Sequence, residues 1–589
     1  MDFFGILSMI GGLSLFLYGM NVMGGGLERL SGGRLERILE RLTSNPLKAV
    51  LLGAGVTAVI QSSSATTVML VGFVNSGIMK LSQAIGIIMG ANIGTTITSW
   101  ILSLSGIEGD NFFIQLLKPT SFSPILALIG IIFLMSGKEN KKKDIGVILL
   151  GFAVLMFGMD AMSAAVKPLA NVPEFTGILT KFSNPVLGVL VGALLTAIIQ
   201  SSSASVGILQ ALSVTGAFTF GSVIPIIMGQ NIGTCVTAML SSVGATRGAK
   251  RTAFVHLYFN MIGAIVFLIF YYILTSLFDF GFVNEKVGVA GIAFVHSIFN
   301  IFATLILLPF TKLLEKLAYI TLPETQEERE AQSQKNDFPL LDSRFLSTPG
   351  FAIEQCKSLT FKMGELSREA MIRSMKLFED YSQEEADRVE KLENLVDKYD
   401  DKLSAYLVQL NSKDLNYTES QSVSTLLHSI GDLERIADHA VNIMELAQDQ
   451  KKKKLEFSDK AKEELRVYGR AVEDILGRSI RAFIENDREL AMTVEPLEEV
   501  VDQLNKDVKK RHIKRLQNGT CTIELGLLLS DIATNYERVS DHCSNLAVYM
   551  IQIEDSGFEA HEYVNNLKSE TKKQFDLMME DYKRQYVLP

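Results

Sequence analysis

Through the first 320 residues, apolar positions run in long, nearly unbroken blocks, and two of the blocks are interrupted by matching polar clusters. Full membrane spans are expected near residues 3–23, 82–104, 122–136, 145–163, 222–243, 252–275 and 287–310. The two interrupted blocks differ. Leu47–Ile60 and Val68–Met79 flank Gln61–Thr67, read Gln-Ser-Ser-Ser-Ala-Thr-Thr; Val186–Ile199 and Val206–Phe220 flank Gln200–Ser205, read Gln-Ser-Ser-Ser-Ala-Ser. Each apolar half is short of the ~20 residues a helix needs to cross a bilayer. Broken backbone at that depth is tolerated only inside protein or along a cavity. The pattern predicts two helical hairpins with polar tips. Close packing of Ser and Thr between membrane helices is the plainer reading of one such stretch. Two in register favour tips that offer oxygens to a small cation and helix N-termini to an anion.

The register is that of a duplication. Ser44-Asn45-Pro46 recurs as Ser183-Asn184-Pro185, Gln61 as Gln200, and Tyr18-Gly19-Met20 as Phe157-Gly158-Met159. Met89-Gly90-Ala91-Asn92-Ile93-Gly94-Thr95 recurs as Met228-Gly229-Gln230-Asn231-Ile232-Gly233-Thr234. Every pair is 139 positions apart. In membrane proteins such a duplication usually builds a transporter from two pseudo-symmetric halves.

Charge orients the halves, because Lys and Arg concentrate in cytoplasmic loops. If both interrupted segments enter and return on one side, Arg29, Arg34, Arg37 and Arg41 fall in the cytoplasm. So do Lys138, Lys141–Lys143, Arg247, Lys250, Arg251, Lys312 and Lys316. Glu108, Asp110, Lys167, Lys181, Asp279 and Glu285 fall outside. A single crossing by the first segment would exchange Lys141–Lys143 with Glu108 and Asp110, so charge favours hairpins. Three crossings per repeat is an odd number. The second hairpin then enters from the opposite face, and the layout is one of alternating access.

The Gly-x-Asn-Ile-Gly-Thr stretches suggest unwound backbone facing a site, with Asn92, Thr95, Asn231 and Thr234 as lining. For the glycines alone, close helix packing is the stronger reading. Ala253-Phe254-Val255-His256 with Phe259-Asn260 is echoed by Ala293-Phe294-Val295-His296 with Phe299-Asn300. An intramembrane His is a functional candidate, and a structural hydrogen bond between helices serves as well. Asp160, matching Asn21, is open to either a site or an interfacial role.

Residues 318–350 read as a charged, Pro-bearing linker, and no long apolar segment follows. The first 320 residues carry 19 Lys/Arg against 13 Asp/Glu, and the remainder 37 against 52. A membrane domain is thus joined to an acidic soluble one, and neither resembles a nucleic-acid-binding surface. Four cysteines without CxxC spacing indicate neither zinc nor disulfides. Met1–Met23 reads as a retained first span. No nucleophile–base pair or phosphate-cradling Gly loop points to an enzyme. The soluble part repeats too: Glu434-Arg435-Ile436-Ala437-Asp438-His439 matches Glu537-Arg538-Val539-Ser540-Asp541-His542. Upstream, Glu393 and Asp397 match Glu498 and Asp502. Each Glu–Asp pair is four apart on one helix face, and the spacing suggests two three-helix units. Such carboxylates could hold hard cations or Mn, Fe or Zn; an ordinary solvated face is the alternative.

On these motifs, residues 1–315 resemble the type II sodium–phosphate cotransporter family, and residues 350–555 resemble the PhoU family of phosphate-signalling proteins. The resemblance implies an all-α fold: a polytopic membrane domain of inverted repeats with two re-entrant hairpins, and a PhoU-like helical bundle. Domains are expected at 1–140 (repeat 1), 141–317 (repeat 2 with extra spans), 318–350 (linker), 351–555 (PhoU-like) and 556–589 (helical tail). It implies symport of inorganic phosphate with Na⁺ as coupling ion, in a multi-pass protein of the inner membrane whose soluble part is cytoplasmic and regulatory. A membrane-anchored phosphate sensor and a phosphate exporter are the alternatives. Carried over residue by residue, Gln61, Ser62, Ser63 and Ser64 with Gln200, Ser201, Ser202 and Ser203 match the family's phosphate and sodium motif, continued by Thr66, Thr67 and Ser205. Glu393, Asp397, Glu434 and Asp438, with Glu498, Asp502, Glu537 and Asp541, match the PhoU metal ligands, for Mn, Fe, Zn or Mg. A homodimer and a cytoplasmic signalling partner are compatible with it; nucleic acid is not expected. There is one departure: animal members carry a basic stretch and a His/Phe-Asn helix in both halves, and here only Arg247–Asn260 has it.

Overall fold

The computed structural model describes residues 3–31, 45–107, 111, 115–116, 118–136, 140–172, 184–278, 280–325, 341–413, 415–552 and 572–589. Arg34, Arg37, Arg41, Ser44, Glu108, Asp110, Lys138, Lys181, Ser183 and Asp279 lie outside them. The chain divides into two compact units, Met1–Phe351 and Ala352–Pro589.

The first unit contains α1 (Phe3–Ser31), α2 (Pro46–Ile60), α3 (Ser63–Asn75), α4 (Leu81–Ser103), α5 (Pro119–Ser136) and α6 (Asn140–Val166). It continues with α7 (Pro185–Ile199), α8 (Ser202–Ser213), α9 (Phe220–Ser241), α10 (Arg247–Leu277), α11 (Val289–Leu307) and α12 (Thr311–Thr321). Among the described residues, six helical stretches are long and apolar enough to cross a membrane, built on α1, α4, α6, α9, α10 and α11. The seventh expected span, 122–136, lies in α5. Its apolar run is shorter than a crossing, and Pro124 stands inside the helix.

The duplication is visible as geometry. Both first arms, α2 and α7, start after an Asn whose side chain accepts two backbone N–H bonds, followed by a Pro at the first turn. The helices α1 and α6 cross at glycines so close that no side chain fits. A Cβ on Gly12 would lie 2.8 Å from the Met162 nitrogen, and one on Gly19 2.3 Å from that of Leu155. Reciprocally, Gly151 meets Met23 and Gly158 meets Phe16. Partner numbers fall as residue numbers rise, so equivalent helices run antiparallel about a two-fold axis. The repeats are inverted.

Each interrupted segment folds back on itself. α2 runs parallel to α4, with Gly86 against Pro46, Gly90 against Val50 and Gly94 against Ala54. α3 must therefore return to the level at which α2 began. The same holds in the second half, where Gly229 meets Val189 and Gly233 meets Ala193. These contacts correct one expectation: α4 and α9 are continuous helices through Asn92 and Asn231, not unwound there. The glycines are where an arm packs backbone to backbone. A Cβ on Gly90 would lie 2.0 Å from the Val50 carbonyl oxygen.

The second unit has two three-helix sets. The first is α13 (Pro349–Lys376, whose first residues belong to the first unit), α14 (Gln383–Asn411) and α15 (Tyr417–Lys453). The second is α16 (Asp459–Glu485), the one-turn α17 (Arg488–Ala491), α18 (Val494–Gln517) and α19 (Ile523–Gln552), after which α20 (Lys572–Gln585) packs on α18. Residues 341–350, within the stretch expected to be linker, are folded with Phe351 into the first unit, and Phe345 there is fully buried.

Candidate substrate site and carboxylate clusters

The two breaks have one conformation. Gln61 and Gln200 both close their helix in the left-handed region, at φ 59° and ψ 22°. That conformation costs an L-residue roughly 1–2 kcal/mol. The next residues, Ser62 and Ser201, are extended and cap the returning helix: Ser62 Oγ accepts from the Ala65 amide at 3.1 Å and Ser201 Oγ from that of Ala204 at 3.2 Å. The first N–H groups of a helix have no intrahelical acceptor and carry the positive end of its dipole. Each tip therefore presents unspent amides at its second and third serines, Ser63 and Ser64 in one, Ser202 and Ser203 in the other. The tips meet. Ser64 Oγ donates to the Gln200 carbonyl oxygen at 3.3 Å, so sites 136 residues apart form one locus.

The side chains divide into braces and open groups. Gln61 is braced: its Nε2 donates to the Ala58 carbonyl and its Oε1 accepts from Thr98 Oγ1 at 2.9 Å. Thr66 and Thr67 donate to the carbonyls of Ser62 and Ser63 at 3.1 and 2.8 Å. Thr95 donates to the Ala91 carbonyl, Thr234 to that of Gln230 and Asn231 to that of Ile227. Ser63, Ser202 and Ser203 are buried, whereas the Gln200 side chain is exposed. Asn92 is buried with its Nδ2 unpartnered among the described residues.

The halves differ at one equivalent spot. Thr57 Oγ1 donates to Thr66 Oγ1 at 3.1 Å, closing that pair. Their counterparts, Thr196 and Ser205, have hydroxyls without a partner among the described residues. Beside them Gln230, which replaces Ala91, donates to the Ser205 carbonyl at 3.0 Å and leaves its own Oε1 unpartnered. All three side chains are fully buried. Buried polar groups ordinarily find partners, and three open oxygens suit a hard cation. Thr57, Thr98, Thr196 and Gln230 escaped sequence reasoning; the Ala91-to-Gln230 difference between otherwise matched repeats is the signal that could have found the last.

His296 serves a helix contact, whereas His256 is buried with its Nδ1 unpartnered among the described residues. Ser99 Oγ lies 2.7 Å from His296 Nδ1, joining α4 to α11, while Asn260 and Asn300 bond the backbone carbonyls of His256 and His296. Asp160 is exposed on α6.

In the second unit, Glu393, Asp397 and Asp438 offer ligand oxygens all within 4.8 Å of one another. Burial, then the charges of Asp438, Asp400 and Asp397, push Glu434 up to about 7. Burial, then Glu495, Asp502, Glu499 and Asp541, push Glu498 up to about 8. Asp541 is raised by burial and by Glu537. Carboxylates crowded until they resist ionisation fit an oxygen-ligated hard cation. The helices α15 and α19, which carry the two Glu-Arg-x-x-Asp-His copies, are tied together. Asp432 accepts from His542 Nδ1 at 2.7 Å and Asn545 Nδ2 at 3.1 Å, and His439 Nδ1 lies 2.8 Å from Asn535 Oδ1.

Inverted helical repeats, six membrane-crossing stretches and two polar breaks that meet define a polytopic membrane protein of the transporter class. Residues 15–164 and 154–290 match the sequence model of the Na⁺/Pi-cotransporter family, and residues 360–447 and 465–550 match that of the PhoU domain. The chain belongs to the Na⁺/Pi-cotransporter family of phosphate transporters, with a PhoU domain in its C-terminal unit. YqeW of Bacillus subtilis is 31% identical over 43% of this chain and 79% of its own length. YjbB of Salmonella typhimurium, named provisionally for inorganic phosphate export, is 24% identical over 95% of this chain and 99% of its own. Sodium-dependent phosphate transport protein 2A of Rattus norvegicus is 38% identical over 16% of this chain and 15% of its own. Among solved structures, PhoU from Pseudomonas aeruginosa matches 34% of this chain and 95% of its own, at 21% identity and a TM-score of 0.33.

Proposed function

We propose that the protein moves inorganic phosphate coupled to Na⁺, by alternating access at the joined tips of two hairpins that re-enter the membrane from opposite faces. The observation that carries the reading is the contact of the tips, with two helix N-termini brought to one locus. Phosphate is held there by the amides and hydroxyls of Ser62–Ser64 and Ser201–Ser203. No Lys or Arg stands in either tip, so the anion's charge is met by dipoles and by bound cation. Thr196, Ser205 and Gln230 supply oxygens for one Na⁺. Anion then binds poorly without cation and cation poorly without anion, and that reciprocity is the coupling.

The protein lies in the inner membrane with Lys141–Lys143, Arg247, Lys250 and Arg251 on the cytoplasmic side. Its PhoU unit is cytoplasmic, binds Mn, Fe, Zn or Mg through the two carboxylate clusters and regulates transport. A second reading reverses the flux: the relatives that match 95% of the chain are named for phosphate export. ³²P-phosphate flux in proteoliposomes separates the cases. Uptake that follows an inward Na⁺ gradient and fails with K⁺ or a proton gradient supports symport. Efflux independent of Na⁺ supports the exporter, and no flux from folded protein refutes both.

A further inference from the structure

The segment that leads into the second unit grips the far end of the first hairpin's returning arm. Residues 341–351 make a short turn, Ser343–Ser347, and enter α13. Phe345 and Phe351 are 0% and 1% exposed. Their ring centroids stand 4.9 Å apart, and 5.4 and 5.2 Å from that of Phe73 in α3. Gly72 makes the notch: a Cβ there would lie 2.7 Å from Phe345 Cε1. The equivalent position in the second repeat is Ala211, which carries the methyl that the notch excludes.

A polar clasp surrounds the rings. Asp342 accepts from Asn75 Nδ2 at 2.5 Å and pairs with Arg344 at 2.8 Å. Arg344 Nε donates to the carbonyl of Ser241, the last residue of α9, at 3.0 Å. Asn75 Oδ1 accepts from the amide of Thr246, the N-cap of α10, at 2.8 Å. The segment thus ties the end of a hairpin arm in the first repeat to the end of α9 in the second, and it clasps the arm residue, Asn75, that itself bonds the start of α10. The arm α3 is unbroken from Ser63 to Asn75. At ~1.5 Å rise per residue, the notch is roughly 8–14 Å from the tip residues Ser63–Thr67, and a rigid rod carries displacement that far.

We propose that residues 341–351 are a latch. Seated, it holds the first hairpin against α9 and α10 and slows the exchange between access states; unseated, it frees the tip. The latch is then the line by which the second unit sets the transport rate. The proposal rests on the transport reading above, and the test keeps the two apart.

The test uses the full chain with its four native cysteines replaced. Asn75→Cys with Asp342→Cys is joined by a short bis-methanethiosulfonate reagent, which forms a disulfide with each thiol and releases methanesulfinate, and ³²P-phosphate flux is measured before and after reduction. Joining is expected to lower flux at least tenfold, with recovery on reduction; unchanged flux at verified cross-linking overturns the latch. Independently of any transport, a Ser64→Cys tip is labelled with a water-soluble maleimide. Gly72→Ala, whose methyl expels the Phe345 ring, is expected to change the labelling rate at least threefold. Should Gly72→Ala not fold, Phe345→Leu is expected to act in the same direction. An unchanged labelling rate in folded protein overturns the latch. Altered labelling in a protein that moves no phosphate upholds the latch and refutes the transport reading.

Discussion

Gly90→Ala tests how the first hairpin is held. The new methyl would lie 2.0 Å from the Val50 carbonyl oxygen and 2.8 Å from the Ala54 nitrogen. Both atoms are backbone of α2, so no side chain can turn aside, and the helices must part by roughly 1 Å or more. Overpacking of this kind costs ~1–3 kcal/mol, and each kcal/mol lowers a melting midpoint by about 2–4 °C in a domain of about 150–250 residues. The single tryptophan, Trp100, is the reporter: it lies in the same helix, with Nε1 bonded to Ser297 Oγ at 2.9 Å. Its fluorescence in detergent micelles should show Gly90→Ala melting about 2–12 °C below the parent. Gly55→Ala is the control. That glycine lies in the interior of α2 with nothing within 4 Å of its would-be Cβ, so the change should stabilise by roughly 0.5–1 kcal/mol. If Gly90→Ala melted with or above the parent, backbone packing would not be the reason for the glycine. A lining role, with binding lost and fold kept, would take its place.

Ser205→Ala or Gln230→Ala should weaken activation of flux by Na⁺ about tenfold, the worth of one ligand at ~1.5 kcal/mol; an unaltered half-saturating Na⁺ concentration in both removes that spot from the site. Mn²⁺ or Mg²⁺ should raise the melting midpoint of the parent more than that of Asp397→Asn with Asp438→Asn, which keeps only the second cluster, and equal shifts would empty the first cluster of function. Asp432→Ala strands the donors of His542 and Asn545 and should cost about 1–3 kcal/mol. Amide exchange in α15 and α19 reads the loss, and Asp432→Asn, which keeps an acceptor, should lose less.

The hairpins were legible because their signal is arithmetic: a constant 139-residue offset and apolar halves too short to cross. The same offset let charge predict inversion, which the antiparallel crossing of α1 and α6 displays. The glycines misled where context decides. Gly-x-Asn-Ile-Gly-Thr permits either unwound backbone or a groove for a neighbouring helix, and only the neighbour, with the Val50 and Val189 carbonyls pressed into it, selects the second. The open oxygens of Thr196, Ser205 and Gln230 were out of reach for a related reason. Thr57 and Thr66 have nearly the same side chains and close on each other, so residue type alone does not tell a spent hydroxyl from a free one. In the second unit the spacing Glu-x-x-x-Asp picked out helices whose carboxylates crowd together in the fold. Which carboxylates converge depends on helix pairing, and Asp400 and Glu495 entered only with the fold.

In an inverted duplication, exchanging the conformations of the two halves turns one access state into the other. Two identical halves would make those states equal in energy, and a ligand would shift between them only through differential affinity. This chain breaks the equality in two places. The second tip holds three unpaired oxygens where the first has a closed Thr57–Thr66 pair, and the first arm alone has the Gly72 notch that Phe345 fills. If the proposed cation fills that spot, the balance depends on it, since filling satisfies groups otherwise buried and unpaired. The second difference makes the balance depend on the segment that leads to the PhoU unit. On the proposed reading, coupling cation and latch bias one equilibrium from opposite repeats, and neither needs to touch the other's residues.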